Sequence, residues 1–289
     1  MEQEVQDGKT RATRFTAALY FAVYKPRPGA SDMIAGLYRH TMPAGNPEWN
    51  AGSRFPATRH SIIERIRAGG SDVRRQAFGD LVHGYWKPVY THLRLTWRLD
   101  PDDAQDATQA FFAEAYEKEW LERFEPAKAK FRTFVRICAD RFVQNRRQAA
   151  SRAKRGGGIH FIALDFDGAE RDTLARLASS DIDPDTLFHR EFVRALFERA
   201  VQSVREELDT AGKPQVAALF ERYDLAPRDG DSYATLAAEF NLTTTQVTNA
   251  LALARRRFRE HALEALRAVC ATDEEFRRDA QELFGVEVE

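Results

Sequence analysis

Residues 232–258 carry the pattern that most restricts how this chain folds, because they specify two helices joined by one tight turn. They read SYATLAAEFNLTTTQVTNALALARRRF. Apolar residues at helical spacing give the first helix its buried face: Leu236, Ala237 and Phe240. Asn241 suits the turn, since Asn tolerates a positive φ better than most residues. Leu242 is then placed to fill the space beneath the turn.

The second helix begins with a capping box, in which Thr243 is the cap and Gln246 follows three residues later. Its buried stripe has helical spacing: Val247, Ala250, Leu251, Ala254 and Phe258. Cap, turn and core together match the helix-turn-helix that reads duplex DNA. A purely structural helical hairpin is the alternative interpretation.

The outward face of the second helix is polar and then basic: Thr244, Thr245, Thr248, Asn249, Ala252, Arg255 and Arg256. Short polar side chains near a helix start can reach base edges, whereas later arginines can contact phosphates. The pattern therefore predicts a DNA-contacting face.

Composition limits the class of protein. The 289 residues include 43 Lys+Arg and 44 Asp+Glu, a net charge of −1, with a mean hydropathy of −0.53. No apolar run approaches the roughly 20 residues of a membrane-spanning helix, so no membrane insertion is expected. Two cysteines, Cys138 and Cys270, are too few for a disulfide framework, which favours a reducing, cytoplasmic location. The length suggests two domains.

Charge is segregated along the chain. Residues 100–125 hold nine acidic and two basic residues, and residues 131–156 hold eight basic residues and one acid. Residues 157–186 return to a balance of −5. Such a chain can present an acidic face to one partner and basic faces to another. Solvated helix faces that happen to alternate in charge are the simpler alternative.

Helical signals begin at about residue 58. Apolar residues recur at three- and four-residue spacing, and Pro88 is expected to kink or interrupt that helix. Asp100 followed by Pro101 is typical of a helix start. Another long helix is predicted from about Phe131 to Ser151. No strand-rich region and no repeat is recognisable, so the predicted fold class is all-α.

We expect two helical domains joined by an acidic, flexible linker. Gly156-Gly157-Gly158 ends the first domain, and Asp183-Pro184 opens the second helical set. An extended piece is expected at His160–Leu164. The boundaries are an irregular N-terminal extension at 1–57, a helical domain at 58–155, the linker at 156–186, the helix-turn-helix domain at 187–275 and a tail at 276–289.

Two consecutive helices of the first domain have contrasting surfaces. The acidic helix 101–117 carries a shallow polar stripe suited to a partner: Asp102, Asp106, Gln109 and Ala113. The next helix has an apolar stripe that we assign to packing: Phe131, Phe134, Val135, Cys138 and Phe142. Its remaining surface is basic: Arg132, Arg136, Arg141, Asn145, Arg146, Arg147 and Arg152. Cations beside aromatic rings are suited to single-stranded or locally opened DNA.

These constellations, in this order and joined by an acidic linker, resemble bacterial RNA polymerase sigma factors of the sigma-70 family, in particular the compact extracytoplasmic-function (ECF) type. DDAQDATQAFFAEAY is similar to the polymerase-binding helix of that family. FRTFVRICADRFVQNRRQAASR is similar to its promoter-melting helix, and residues 232–258 to its −35-reading helix-turn-helix. The resemblance covers about residues 58–275.

The resemblance implies a role for each set of residues. The β′ clamp helices of core RNA polymerase would be faced by Asp102, Asp103, Asp106 and Gln109. The −10 element would be lined by Arg132, Arg136, Arg141, Asn145, Arg146 and Arg147. Between Trp120 and Lys130 would lie the rim of a pocket for flipped bases. The −35 duplex would be met by Thr244, Thr245, Gln246, Thr248, Asn249, Arg255 and Arg256.

The implied function is therefore a non-enzymatic sigma factor, whose partners are core RNA polymerase (β′ clamp helices and β flap), promoter DNA and, in some members, an anti-sigma factor. The alternative is a helix-turn-helix transcription regulator that never engages RNA polymerase. A helical metalloenzyme would need Glu-x-x-His or His-Glu-x-x-His pairs, and the seven histidines show neither spacing. We expect no catalytic residue, no metal and no cofactor.

Overall fold

In a computed structural model of the protein, residues 61–150, 164–174, 183–228 and 230–288 are described. Within these ranges the chain forms helices and no strand, which confirms the all-α prediction. The helices are α1 Ile62–Ala68, α2 Ser71–Leu95, α3 Pro101–Glu117, α4 Phe131–Ala150, α5 Phe166–Leu174, α6 Pro184–Thr210, α7 Pro214–Phe220, α8 Tyr233–Glu239, α9 Thr244–Arg267 and α10 Asp273–Phe284. A one-turn 3₁₀ helix, Trp120–Arg123, precedes α4, and a π-helical turn, Glu221–Leu225, follows α7.

Some sequence predictions fall outside these ranges. They concern the N-terminal extension 1–57, the triple glycine 156–158, the extended piece proposed around 160–163, and Arg152. Of the predicted linker, only residues 164–174 and 183–186 are described.

Contacts divide the chain into two compact units. The first unit contains the described residues of 61–195 and 267–276, and the second those of 196–266 and 277–288. Within the described residues the boundaries fall within α6, at the end of α9 and within α10, so this part of the chain passes between the units three times.

Aromatic side chains form the centre of the first unit. The ring of Tyr85 lies 5.2 Å from that of Phe192 and 5.7 Å from that of Phe131, measured between centroids. All three are buried. Because buried aromatic pairs add stabilisation beyond the area they remove from water, this cluster fixes α2, α4 and the start of α6 together.

Local capping signals set where several helices begin, as predicted. The Asp100 carboxylate accepts a hydrogen bond from the Asp103 amide at 2.8 Å, and Pro101 occupies the first turn of α3. Asp183 accepts in the same way from the Thr186 amide at 2.9 Å. Such caps satisfy amide groups that have no partner inside the helix.

Pro88 does not interrupt α2, although an interruption is one of the two effects, a kink or an interruption, that the sequence predicted. The helix runs from Ser71 to Leu95 through the proline. Buried residues lie on both sides of it, including Tyr85 and Val89. Tertiary packing along the whole helix therefore outweighs the missing N–H group of proline.

Helix α5 lies inside the segment expected to be a flexible linker, and it packs on α2. The ring of Phe166 lies 5.2 Å from that of Trp86 and 5.3 Å from that of Tyr90. Arg94 donates to both oxygens of Glu170 at 2.8 and 2.5 Å. This part of the acidic segment is thus a helix with a buried face.

Residues 267–276 complete the first unit. The amide of Ile62 donates to the Cys270 carbonyl oxygen at 3.3 Å. Gly84 allows close approach, since a Cβ there would lie 2.5 Å from a methyl carbon of Val269. The buried Glu275 carboxylate accepts from the Phe131 amide at 2.9 Å, so it caps the start of α4 from 144 residues away.

Two apolar clusters form the interior of the second unit. One joins the end of α6 to α7 and α9 through Val204, Leu208, Ala217, Phe220 and Ala254. The other joins α7, α8 and α9 through Leu219, Leu236, Ala237, Val247 and Leu251. The apolar stripes predicted for the two helices of the helix-turn-helix therefore contribute to the interior of the second unit.

Among the described residues, no helix combines the length and the apolar character needed to cross a lipid bilayer.

Candidate nucleic-acid interface

A cavity of about 890 Å³ lies in the first unit, between α4 and the segment 114–129. Its volume is within the range of about 300–1,000 Å³ typical of ligand pockets. The side chains that line it are Glu114, Lys118, Trp120, Arg123, Phe124, Glu125, Lys128, Ala129, Phe134, Ile137, Cys138, Arg141, Phe142, Asn145 and Arg146. The segment 120–130, where the resemblance implies a pocket rim, borders this cavity.

Aromatic side chains form much of the inner wall. The Phe134 ring lies 5.4 Å from that of Phe124, and the Trp120 ring lies 6.1 Å from that of Phe142. Phe134 and Trp120 are only half-buried. The apolar stripe of α4 is thus buried at Phe131 and Phe142 and half-buried at Phe134, and both Phe134 and Phe142 line the cavity. Open aromatic faces of this kind can stack on a planar ring.

The exposed residues at the mouth of the cavity include more cations than anions: Lys118, Arg123, Lys128, Arg141 and Arg146 against Glu125. Arg141, Asn145 and Arg146 are exposed on its α4 side. The Arg146 guanidinium carbon lies 5.7 Å from the centroid of the Phe142 ring. Lys118 lies on the other side, with its ammonium nitrogen 5.8 Å from the centroid of Trp120 and 2.5 Å from the Glu114 carboxylate. Cations around an apolar slot can hold a phosphate backbone while a base enters the slot.

Two arginines of α1 and α2 hold the segment that forms the outer wall. Arg67 donates to the backbone carbonyl oxygens of Glu122 and Phe124, the latter at 3.0 Å. Arg74 pairs with the carboxylates of Glu119 and Glu122 at 3.1 and 3.3 Å. The backbone of Glu119 is left-handed, with a φ of 55°. These contacts hold the outer wall, residues 119–124, in one conformation.

Arg132 and Arg136 are less available than the other predicted −10 residues. Arg132 is buried, with its guanidinium carbon 5.9 Å from the centroid of Phe192. Arg136 pairs with Asp140 at 2.6 Å and with Asp185 at 2.5 Å. The structure thus leaves Arg141, Asn145, Arg146 and Arg147 exposed, and it places Arg132 in the interior. Arg141, Asn145 and Arg146 line the cavity, whereas Arg147 lies against Trp97.

Asp140 is the centre of a polar network under this surface. Its carboxylate accepts from His92 Nε2 and from Trp97 Nε1, each at 2.7 Å, and from Arg136. Burial alone would raise the pKa of Asp140, but these hydrogen bonds and the neighbouring charges outweigh burial and lower the pKa. The carboxylate is therefore ionised at neutral pH and anchors α2 to α4.

Arg147 is exposed and rests on Trp97. Its Nη2 atom donates to the Trp97 carbonyl oxygen at 2.9 Å, and its guanidinium carbon lies 4.9 Å from the centroid of the indole ring. The indole lies outside α4, in the turn that follows α2.

Cys138 lies on the inner wall of the cavity and is half-buried. Burial raises the pKa of its thiol to about 11, against a smaller opposing effect of the Arg141 charge. The side chain is therefore a neutral, apolar part of the wall at neutral pH.

The predicted polymerase-facing residues occupy one end of α3. Asp102, Asp103 and Asp106 are exposed, and Gln109 is half-buried. Ala113, expected on the same stripe, is instead 8% exposed and belongs to the core. The open part of the stripe is therefore its first two turns.

The helix-turn-helix has the predicted local geometry. Thr243 and Gln246 cap each other, with amide–side-chain distances of 2.8 and 3.2 Å. Asn241 has a φ of 53°. Exposed side chains at the start of α9 and beyond are Thr244, Thr245, Gln246, Thr248, Asn249 and Arg256. The Gln246 side-chain oxygen serves the cap, which leaves its amide nitrogen as a donor.

Arg255 does not share this exposed face, contrary to the sequence prediction. Its guanidinium donates two hydrogen bonds to Asp224, at 2.9 and 2.8 Å, and it is 5% exposed. Burial raises the pKa of Asp224, opposed by Arg255. For Arg255, the bonds and charge of Asp224 outweigh burial and raise its pKa. Arg255 therefore supports the interior of the second unit.

Several residues of the site are not evident from the sequence. Trp97, Arg67, Arg74, Lys118 and Glu275 contact the cavity wall or α4 from other elements. Trp97 is the one that a sequence signal could have indicated, since a tryptophan between two helices tends to pack its ring and to pair its N–H group.

Across the described residues, no group of three His, Cys, Asp or Glu side chains is arranged to hold a metal ion. Comparison of the chain with protein-family models, curated proteins and solved structures finds no match.

Proposed function

We propose that this protein is a sigma factor of the sigma-70 type. In this proposal it binds core RNA polymerase, recognises −10 and −35 promoter elements and promotes DNA opening. It acts in the cytoplasm as a specificity subunit and has no catalytic residue of its own. An anti-sigma factor is a further partner of such a protein.

The observation that carries the proposal is the cavity beside α4. Its inner wall holds partly open aromatic rings, and its mouth holds Arg141, Asn145 and Arg146. Enzymes and binding proteins that handle a base outside the stack enclose it between apolar or aromatic side chains. Unpaired bases of a melted −10 element would enter here, while the arginines contact the backbone of the same strand.

The helix-turn-helix supplies the duplex-binding part of the proposal. Thr244, Thr245, Gln246, Thr248 and Asn249 would approach the major groove of the −35 element, and Arg256 a phosphate. Arg255 takes no part in this contact, since Asp224 holds it inside the unit. A helix-turn-helix alone would equally suit a simple repressor.

The acidic end of α3 supplies the polymerase-binding part. Asp102, Asp103 and Asp106 would face the β′ clamp helices, with Gln109 at the edge of the contact. Acids in the first turn also complement the helix dipole, so their exposure alone does not require a partner. Polymerase binding and the capture of unpaired bases would thus belong to the first unit, and binding of the −35 duplex to the second.

The experiment that tests the polymerase contact is charge reversal at Asp106. The Asp106→Lys variant is expected to bind bacterial core RNA polymerase at least about tenfold more weakly, because a like-charge contact costs several kcal/mol across an interface. On gel filtration the variant should therefore no longer co-elute with core polymerase. Asp209→Lys makes the same reversal at an exposed site on α6 and serves as the matched control.

Two results would contradict the polymerase-binding part. One is a wild-type protein that does not co-elute with core polymerase yet binds duplex DNA, which would favour the helix-turn-helix regulator. The other is an Asp106→Lys variant that co-elutes as the control does.

A further inference from the structure

Trp97 is held against α4 from two directions. Its Nε1 atom donates to Asp140 at 2.7 Å, so the edge of the indole is anchored. Its ring face lies against the Arg147 guanidinium, and its carbonyl oxygen accepts from Arg147 Nη2 at 2.9 Å. Trp97 therefore contacts Arg147 twice. Its indole ring lies against the guanidinium, and its carbonyl oxygen accepts a hydrogen bond from one of the guanidinium N–H groups.

The turn that presents Trp97 is itself fixed. Arg98 has a left-handed backbone, with a φ of 53°. The Leu99 amide donates to the Leu93 carbonyl oxygen at 3.3 Å. Arg94 donates to the Leu99 carbonyl oxygen and pairs with Glu170. The indole therefore sits on a turn with a defined conformation.

Contact with an indole ring reduces the entropy that an arginine loses when it binds a ligand. A free arginine side chain loses rotamer entropy when it is ordered by a ligand. A guanidinium already held against an indole ring has lost part of that freedom before a ligand arrives. Since Arg147 is exposed, its N–H groups beyond the one bonded to Trp97 are accessible to an acceptor.

We infer that Trp97 is a positioning residue for nucleic-acid binding, which orients the Arg147 guanidinium toward a phosphate of the bound strand. The inference rests on the proposed function, because Arg147 is one of the residues predicted to contact the −10 element. It adds to those residues Trp97, which lies in the turn between α2 and α3. The planar guanidinium matches phosphate geometry in a way that a lysine does not.

The test measures binding of the full-length protein to a fluorescein-labelled, single-stranded DNA of mixed sequence, by anisotropy over a series of salt concentrations. Arg147→Ala is expected to weaken binding about fivefold at low salt and to reduce the slope of log K against log salt by about 0.7, the value for one phosphate contact. Trp97→Ala is expected to give the same two changes. The double variant is expected to bind no more weakly than Arg147→Ala alone.

Conservative variants separate positioning from general damage to the fold. Trp97→Phe keeps a ring under Arg147 and is expected to bind within about twofold of wild type, while Arg147→Lys keeps the charge but loses the planar stack and is expected to bind at least about threefold more weakly. Arg75→Ala removes an exposed guanidinium from the start of α2 and is the control. Thermal unfolding of each variant reports whether it is folded.

The outcomes distinguish this inference from the proposed function. If the wild-type protein does not bind the single strand, both are overturned. If Arg147→Ala weakens binding but Trp97→Ala does not, or if the two effects add in the double variant, only the positioning role is overturned. If Trp97→Ala fails to fold, Arg147→Lys decides, and binding equal to wild type overturns the inference.

Discussion

Arg255 and Arg256 are consecutive residues with different environments. The Arg255 guanidinium is buried and bonded twice to Asp224, whereas the Arg256 side chain is exposed. A buried ion pair of this geometry tolerates replacement of both partners better than loss of one, because a single loss leaves an uncompensated charge in the interior.

The Arg255→Met variant is therefore expected to lower the free energy of unfolding by about 3–5 kcal/mol. Arg256→Met is the matched control and is expected to change it by no more than about 0.5 kcal/mol. Chemical unfolding followed by far-ultraviolet circular dichroism measures both. Wild-type stability in Arg255→Met, together with loss of duplex binding, would instead make Arg255 a DNA contact.

The position of Arg255 was only partly predictable. It follows Leu251 by four residues and so lies at the edge of the buried stripe of α9. At such a position an arginine side chain can point into the interior or toward solvent. What decides its direction is Asp224, 31 residues earlier, and no local signal connects the two. The exposed threonines and Asn249 were predictable, because a cap and a helical period fix the face on which they lie.

At the scale of elements, starts and turns followed from neighbouring residues. Asp100 with Pro101, Thr243 with Gln246, and Asn241 are signals contained within one turn of chain. Features that depend on distant chain were not predictable. Residue 275 caps α4 at Phe131. Helix α2 continues through Pro88 because residues on both sides of the proline are buried. Helix α5 has a buried face although it lies within an acidic segment.

The contact between α5 and α2 carries a pH dependence. Hydrogen bonding from Arg94 lowers the pKa of Glu170 below its ordinary 4.5, with burial opposing and a hydrogen bond from Tyr90 assisting. A carboxyl group whose pKa is lowered on folding contributes stability at pH values above its ordinary pKa. That contribution is lost as the pH falls through the lowered value. Amide protection over residues 166–174 is therefore expected to decrease once the pH is lowered below about 4.5.

Glu170→Gln is expected to show reduced amide protection over residues 166–174 already at neutral pH, with little further loss on acidification. Asp167→Asn changes an exposed carboxyl on the same helix and is the control. Hydrogen exchange, expressed as protection relative to the free amide rate, measures both. Protection in Glu170→Gln that follows the wild-type pH profile would show that other groups control the contact.

At the scale of the whole molecule, one chain carries three distinct surfaces. They are the aromatic cavity with its basic mouth, the acidic start of α3 and the exposed face of the helix-turn-helix. A DNA-binding regulator needs only the last. The proposed function accounts for all three, since a sigma factor must hold polymerase, duplex DNA and unpaired bases.

The most direct measurement of that claim is permanganate reactivity of thymines in genomic DNA incubated with core RNA polymerase, with and without this protein. Permanganate oxidises unstacked thymines. The proposal predicts reactive thymines at discrete sites only when both the protein and core polymerase are present. An unchanged reactivity pattern, with a folded protein and an active core polymerase, would contradict it.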